Sequence, residues 1–372
     1  MPLQPWATWK LVRRAALWPL VLAALAELIC RVLTPIYLEN PDPKQIEVMS
    51  AGYRSLRPGY QAQVNVGGKP TRISINQDGF RDLPLAGLQG CLMVGVGNSY
   101  VANWAIRQED FWSTHLQARL AEGPNPKRCA VRSVGFQGWS LRELDAVLAD
   151  RVLPHKPKVV VLAFNNLTMW PDVPIEPKAT DAALAQWHAK PHPQLEAAIQ
   201  PEPTGMSRVV GLYNELERHS ALLGALKVYA PLLPMTIGLS QLAVAPIYRD
   251  EEFARRKQPT LASLDTLRRR IEAAGATLVV LFVPSLPEVD ADVFDLMLGS
   301  FGGSQRHIDV GRPATTIGQW ARDRGVAFVD LTVVFRGHIP KAMGYVDHHW
   351  NEVGNDLAAQ VLEPVVRPRL PN

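Results

Sequence analysis

Leu92-Met93-Val94-Gly95-Val96 runs straight into Gly97-Asn98-Ser99-Tyr100, an apolar strand ending on a tight turn that carries a serine. Its unbroken apolarity suits a strand covered on both faces. The same kind of segment returns at Ala130 to Val134, Lys158 to Ala163, Thr277 to Val283 and Ala327 to Leu331, with helical stretches in between. Apolar strands alternating with helices are the pattern of βαβ units and a parallel sheet. Local helix signals agree. Ser140-Leu141-Arg142-Glu143 is a capping box, and Leu141, Leu144, Leu148 and Val152 follow on one face. Trp112, Leu116 and Leu120 form another stripe, Leu264, Leu267 and Ile271 a third, and a last helix is expected over Asp356 to Val365. The predicted fold is α/β: a three-layer α/β/α sandwich on a flavodoxin-like, five-stranded parallel sheet.

Composition supports a packed chain. With 47% hydrophobic and 20% charged residues in 372, disorder, a collagen-like fibre and a polytopic membrane protein are excluded. The 39 Lys+Arg and 35 Asp+Glu leave +4, scattered except near the N-terminus, so no stripe tracks a phosphate backbone and nucleic acid is not the expected partner. At the N-terminus Lys10, Arg13 and Arg14 precede an apolar run from Ala15 to Leu33, broken by Glu27 and Arg31. Residues 1–38 are read as a transmembrane helix, a single-pass anchor in the cytoplasmic membrane. Basic flanks stay cytosolic, which places the rest of the chain in a periplasmic or extracellular compartment. A cleaved signal peptide competes, because Ala24-Leu25-Ala26 has the small-x-small form of a cleavage site. Residues 39–90 read as a connector with a small β-hairpin, and 91–368 as the catalytic domain. An insertion at about 168–258 holds a Pro-rich stretch and an apolar helical segment, Arg208 to Leu233, read either as a lid or docking element or as a cap on one sheet face.

Ligands of an open parallel sheet bind outside the carboxyl ends of its strands. After the first strand that rule picks out Ser99, although Val101 breaks the G-x-S-x-G elbow of the α/β-hydrolases. After the second it picks out Gly135-Phe136-Gln137-Gly138-Trp139, where a glycine lets a backbone N–H approach a developing oxyanion. After the third comes Asn165-Asn166, whose amide is a further oxyanion donor. Near the C-terminus Asp347-His348-His349-Trp350-Asn351 offers a histidine base with a carboxylate to hold its tautomer. Each signal alone also fits a plain turn residue; their agreement in sheet order at one edge is what points to a site. No Cys or third His has the spacing of a zinc site, and no cofactor is implied. Cys91 and Cys129 open neighbouring strands within disulfide reach, yet are read as two buried free thiols.

These four blocks resemble the SGNH (GDSL-like) hydrolases, over roughly Asn76 to Val361. Ile75-Asn76-Gln77-Asp78-Gly79-Phe80-Arg81 and Val283-Pro284-Ser285 add to the resemblance, and Asp347-His348-His349-Trp350-Asn351 looks most like the membrane-linked branch of alginate-type O-acetyltransferases and surface-polysaccharide esterases. The resemblance implies Ser99 as nucleophile, His349 as general base with His348 its nearest rival, Asp347 as orienter, and Gly138 N–H, Ser99 N–H and Asn165 as the oxyanion hole. It implies an esterase or O-acyltransferase acting on acyl groups of an envelope glycan, with polysaccharide-assembly proteins as candidate partners. Asn98 and Asn166 stand where the family carries Asp. A silent glycan-binding or assembly subunit is the alternative they favour, and a lipase or thioesterase is a third reading.

Overall fold

The computed structural model describes residues 5–33, 47–50, 53–66, 69–84, 91–103, 106–122, 126–189, 212, 216, 220–223, 246–292, 294–295, 308–338 and 349–371. Asp347, His348 and most of the apolar segment Arg208 to Leu233 lie outside these residues.

The chain begins with helix α1 (Pro5–Leu33). Strands β1 (Glu47–Ser50) and β2 (Tyr53–Leu56) pair antiparallel, as do β3 (Gln61–Val66) and β4 (Lys69–Ser74). The main sheet follows: β5 (Cys91–Gly97), β6 (Cys129–Gly135), β7 (Val159–Phe164), β8 (Thr277–Phe282) and β9 (Ala327–Asp330). These five are parallel in the order β6-β5-β7-β8-β9, which puts the switch of winding direction between β5 and β7. The helices are α2 (Ser99–Ala102), α3 (Trp112–Ala121), α4 (Leu141–Val147), α5 (Pro177–His188), α6 (Asp250–Ala273), α7 (Leu286–Val289), α8 (Arg312–Asp323), α9 (Thr332–Arg336) and α10 (Glu352–Val366).

Side-chain alternation along the strands sorts the core into two layers. Leu92, Val94 and Val96 face Leu144 of α4, Leu267 of α6 and Trp320 of α8. Met93 and Val131 face Trp112 and Leu116 of α3 and Leu362 of α10. The three-layer sandwich is therefore the observed architecture. Strand ends differ from the sequence expectation by a residue; the larger difference is in the last helix. α10 starts at Glu352 rather than Asp356 because Asn351 caps it, its Oδ1 accepting from Gly354 N at 3.1 Å.

The outer edge of β6 is closed by side chains rather than by another strand. Gln117 Oε1 accepts from Val131 N at 3.1 Å, and Asp82 Oδ2 accepts from Ser133 N at 2.8 Å. Satisfying edge donors in this way removes a template for non-native pairing. Asp82 is buried, and burial pushes its carboxyl up to about 6 although Arg132 pulls the other way.

One expectation is corrected and another is not met. Cys91 and Cys129, register partners on β5 and β6 with Cα atoms 4.4 Å apart, form a disulfide instead of standing as free thiols. And among the described residues no helix is long and apolar enough to cross a membrane, so the expected transmembrane helix is not found as such. In the second half of α1 Glu27 pairs with Arg31 at 2.7 Å and accepts from Ser220 Oγ, Ala221 N and Leu222 N. The side chains of the basic flank, Lys10, Arg13 and Arg14, lie outside the described residues.

Candidate active site

The site is built where α2 drops into the crevice at the carboxyl ends of β5 and β6. Glycines make room for it. A Cβ on Gly135 would lie 2.6 Å from Ala102 N and 2.8 Å from Asn98 O, and one on Gly97 would lie 2.5 Å from Val101 Cγ2. All three contacts are closer than real Cβ atoms come, so the turn takes this position only with hydrogen at both glycines. Asn98 caps the turn, its Oδ1 accepting from Tyr100 N at 3.2 Å. Ser99, half-buried, is the first residue of α2. N–H groups in a first helical turn have no intrahelical partner, which leaves Ser99 N–H for a ligand.

Two bonds and a ring contact bring the C-terminal loop to this turn, and a third bond holds α10 to α3. Trp350, 1% exposed, donates from Nε1 to Tyr100 O at 2.5 Å, and Asn103 Nδ2 donates to Trp350 O at 2.8 Å. Asn355 Oδ1, one turn into α10, accepts from Trp112 N at 3.0 Å. His349 is half-buried with its ring against that of Tyr100, centroids 4.8 Å apart at 52°. The base candidate is thus fixed to the residue that follows the nucleophile candidate. Asp347, its expected orienter, and His348, its rival, lie outside the described residues.

The oxyanion candidates line the same edge. Gly138 has φ +79°, a left-handed conformation that favours glycine, and nothing lies within 4 Å of where its Cβ would be. Asn165 follows β7 directly and is 0% exposed; its Oδ1 accepts from Leu167 N at 3.0 Å. That bond turns Nδ2 away from the loop, and Nδ2 is buried without a hydrogen-bond partner among the described residues. A buried amide donor left unsatisfied costs about 1–3 kcal/mol. A ligand oxygen that accepts from it recovers that cost, as an oxyanion hole requires.

Several supporting residues have no role assigned by the sequence reading. Arg81, buried, donates to the carbonyls of Ala102, Asn103 and Ile106, and so pins the chain leaving α2. Asn76 shapes the loop that delivers Arg81: its Oδ1 accepts from Asp78 N and Phe80 N, both at 2.9 Å. Below the third block, Glu288 accepts from Asn166 Nδ2 at 2.6 Å and from Ser285 N and Oγ at 2.6 and 2.7 Å. Burial pushes the Glu288 carboxyl up to about 7, against the donors that favour its charged form. Ser285-Leu286-Pro287-Glu288 has the S-x-x-E spacing of a capping box, so this signal is present in the sequence. Asn98, Thr168 and Trp139 are joined by bonds no spacing announces.

No family model matches the chain, and no curated protein matches it. Solved structures resemble it weakly. TesA shares 12% identity at a TM-score of 0.39, covering 75% of this chain and 99% of its own. An acetyl xylan esterase, AlAXEase, shares 14% at 0.39, covering 74% and 99%. A catalytic mutant of Axe2, an acetylxylan esterase from Geobacillus stearothermophilus, shares 12% at 0.37, covering 76% and 96%. Identity and TM-score at this level leave the family unassigned.

Proposed function

We propose that this chain is an SGNH-type serine esterase or O-acyltransferase that works through an acyl-serine intermediate. The observation that carries the reading is the fastening of the His349 loop onto Tyr100, the neighbour of Ser99, through Trp350 and Asn103. The unsatisfied Asn165 amide supports it from the opposite side of the site. In the mechanism His349 takes the Ser99 proton as Oγ attacks the ester carbonyl, with Asp347 holding the imidazole. The tetrahedral oxyanion rests on Ser99 N–H, Gly138 N–H and Asn165 Nδ2. The carbon–oxygen ester bond then breaks, His349 returns its proton to the departing alkoxide, and the acyl group stays on Ser99. Attack by water completes hydrolysis; attack by a sugar hydroxyl completes transfer.

The finer reading is an enzyme anchored by α1 in the cytoplasmic membrane, with its catalytic domain outside the cytosol, acting on acetyl esters of an envelope glycan beside polysaccharide-assembly proteins. Leu17, Trp18, Leu20, Leu22, Leu28 and Val32 of α1 are exposed, as a lipid-facing helix requires, and an oxidising compartment suits the Cys91–Cys129 bond. The acetyl glycan rests on the resemblance of the His349-Trp350-Asn351 block.

The test is p-nitrophenyl acetate turnover by the full-length protein beside Ser99→Ala. A burst that disappears in the variant is the expected result; equal rates would sink the assignment. Folded protein with no turnover would favour the silent glycan-binding reading. Faster release from long acyl chains than from acetyl would favour the lipase reading.

A further inference from the structure

The loop Asn165–Thr168 holds the oxyanion amide, and it is tied down at both ends by asparagine side chains whose orientation their partners dictate. At one end Asn166 Oδ1 accepts from Trp170 Nε1 at 2.8 Å. An indole N–H can only donate, so Nδ2 must be the atom that faces Glu288, at 2.6 Å. At the other end Thr168 Oγ1 gives its single hydrogen to Trp139 O at 2.7 Å. Whatever meets Thr168 from the serine turn must therefore donate, and Asn98 Nδ2 does so at 3.0 Å while its Oδ1 caps Tyr100 N. One chain of bonds thus joins the serine turn, the Gly138-Trp139 turn and the Asn165 loop, and a second joins that loop to α7.

We propose that Asn98 and Asn166 are positioning residues that clamp the Asn165–Thr168 loop, on Thr168 and on Glu288, so that Asn165 Nδ2 meets the oxyanion. The proposal rests on the reading of Ser99 as nucleophile and Asn165 as oxyanion donor. It gives the two asparagines a function in catalysis where they would otherwise count as signs of a silent copy. An ionised aspartate at 98 offers Thr168 no hydrogen, and one at 166 sets a carboxylate against buried Glu288. The groups around Glu288 are Asn166, Ser285, Tyr248, whose hydroxyl lies 2.6 Å from Ser285 Oγ, and Arg336, whose Nε donates to the Glu288 carbonyl at 3.0 Å. Among these described residues none supplies a cation to the Glu288 carboxylate that would absorb a second negative charge.

The pair can be exchanged end for end. In Asn166→Asp with Glu288→Gln, the new carboxylate accepts from Trp170 and from the amide NH₂ introduced at position 288, whose oxygen in turn accepts from Ser285 N and Oγ. Each single variant leaves like faces opposed: carboxylate on carboxylate in Asn166→Asp, and a misplaced NH₂ against Ser285 or Asn166 in Glu288→Gln. Full-length protein, the two single variants, the double variant and Asn98→Asp are assayed with p-nitrophenyl acetate at pH 8, and their thermal midpoints are recorded. A misplaced oxyanion donor costs about 10- to 100-fold in rate. The expected result is that loss in kcat for Asn166→Asp and Asn98→Asp, with KM within about 3-fold of wild type, and recovery of most of kcat and of the midpoint in the double variant. If Asn166→Asp does not fold, Asn98→Asp, which leaves Glu288 untouched, carries the kinetic arm and the double variant the recovery arm. Wild-type kcat in Asn98→Asp and Asn166→Asp, or a double variant no better than the worse single, overturns the clamp. Folded wild type without Ser99-dependent turnover overturns the reading of the site itself, and the clamp with it.

Discussion

The two sides of the site are held by different physics. On the Ser99 side, the turn is seated by close packing: Gly97 and Gly135 remove the atoms that would collide with α2, and the buried Trp350 bolts the C-terminal loop to it. On the Asn165 side, the loop is held by polar groups, Asn98, Asn166 and Glu288 buried and Thr168 half-buried, each of which must find a partner of the right sense. A packed seat tolerates changes of charge elsewhere and fails on added volume. A polar clamp tolerates volume poorly and charge worse, because a buried donor or acceptor left facing its like has no water to turn to.

The largest expected effect on this comparison is removal of the proposed nucleophile. Ser99→Ala should lower kcat by about 10⁴-fold or more while thermal unfolding stays within a degree or two of wild type. Next is a direct break of the packed seat. In Gly135→Ala the new methyl meets the backbone of Ala102 and Asn98, which cannot swing aside as a flexible side chain would. Overpacking of this kind costs about 1–3 kcal/mol and displaces α2, so both the urea midpoint and kcat should fall; an unchanged kcat would show that the seat is not needed.

The fold is more legible in the sequence than the site. Apolar strands such as Val159–Phe164, capped helices such as Leu141–Val147 and the serine turn itself are local signals, carried by residue type and spacing. The N-cap of α10 at Asn351 escapes the sequence because Asp356 looks like the start of the periodic stretch, and the Asn351–Gly354 bond depends on loop geometry. The disulfide is within reach on paper, yet register alone does not tell a bond from two buried thiols. The clamp around Asn165 cannot be read at all: Asn98 lies 70 residues from Thr168 and Asn166 lies 122 from Glu288, and what matters is which atom of each amide points where. The motif resemblance marks Asn98 and Asn166 as departures; their hydrogen bonds give each a partner of the right sense.

A gentler probe of the polar side is pH. The Glu288 carboxyl, raised to about 7, and Asp82, raised to about 6, bind protons in the folded chain that the unfolded chain has already released. Their contribution is fully present below about pH 4, where both states are protonated, and is lost as pH rises through 6 to 7. Each is worth on the order of 3 kcal/mol. The urea midpoint should therefore fall between pH 4.5 and 7, and Glu288→Gln should flatten part of that slope. A slope identical to wild type in the variant would remove Glu288 as its source.

Reduction should give an effect of similar size. Opening the loop of separation 38 closed by Cys91 and Cys129 costs about 3–4 kcal/mol in the loop-entropy picture. Thiol titration of unfolded, unreduced protein should count one thiol, Cys30, and three after reduction. Three without reduction would restore the free-thiol reading and withdraw the support that the bond gives to an oxidising compartment.

The most direct measurement is intact mass and peptide mapping of the full-length protein quenched during turnover of p-nitrophenyl acetate. An added acetyl group on the peptide containing Ser99, absent from Ser99→Ala and slow to form in His349→Ala, is the result expected of an acyl-serine enzyme. Turnover without any adduct on that peptide, or an adduct that forms equally fast in His349→Ala, would contradict it.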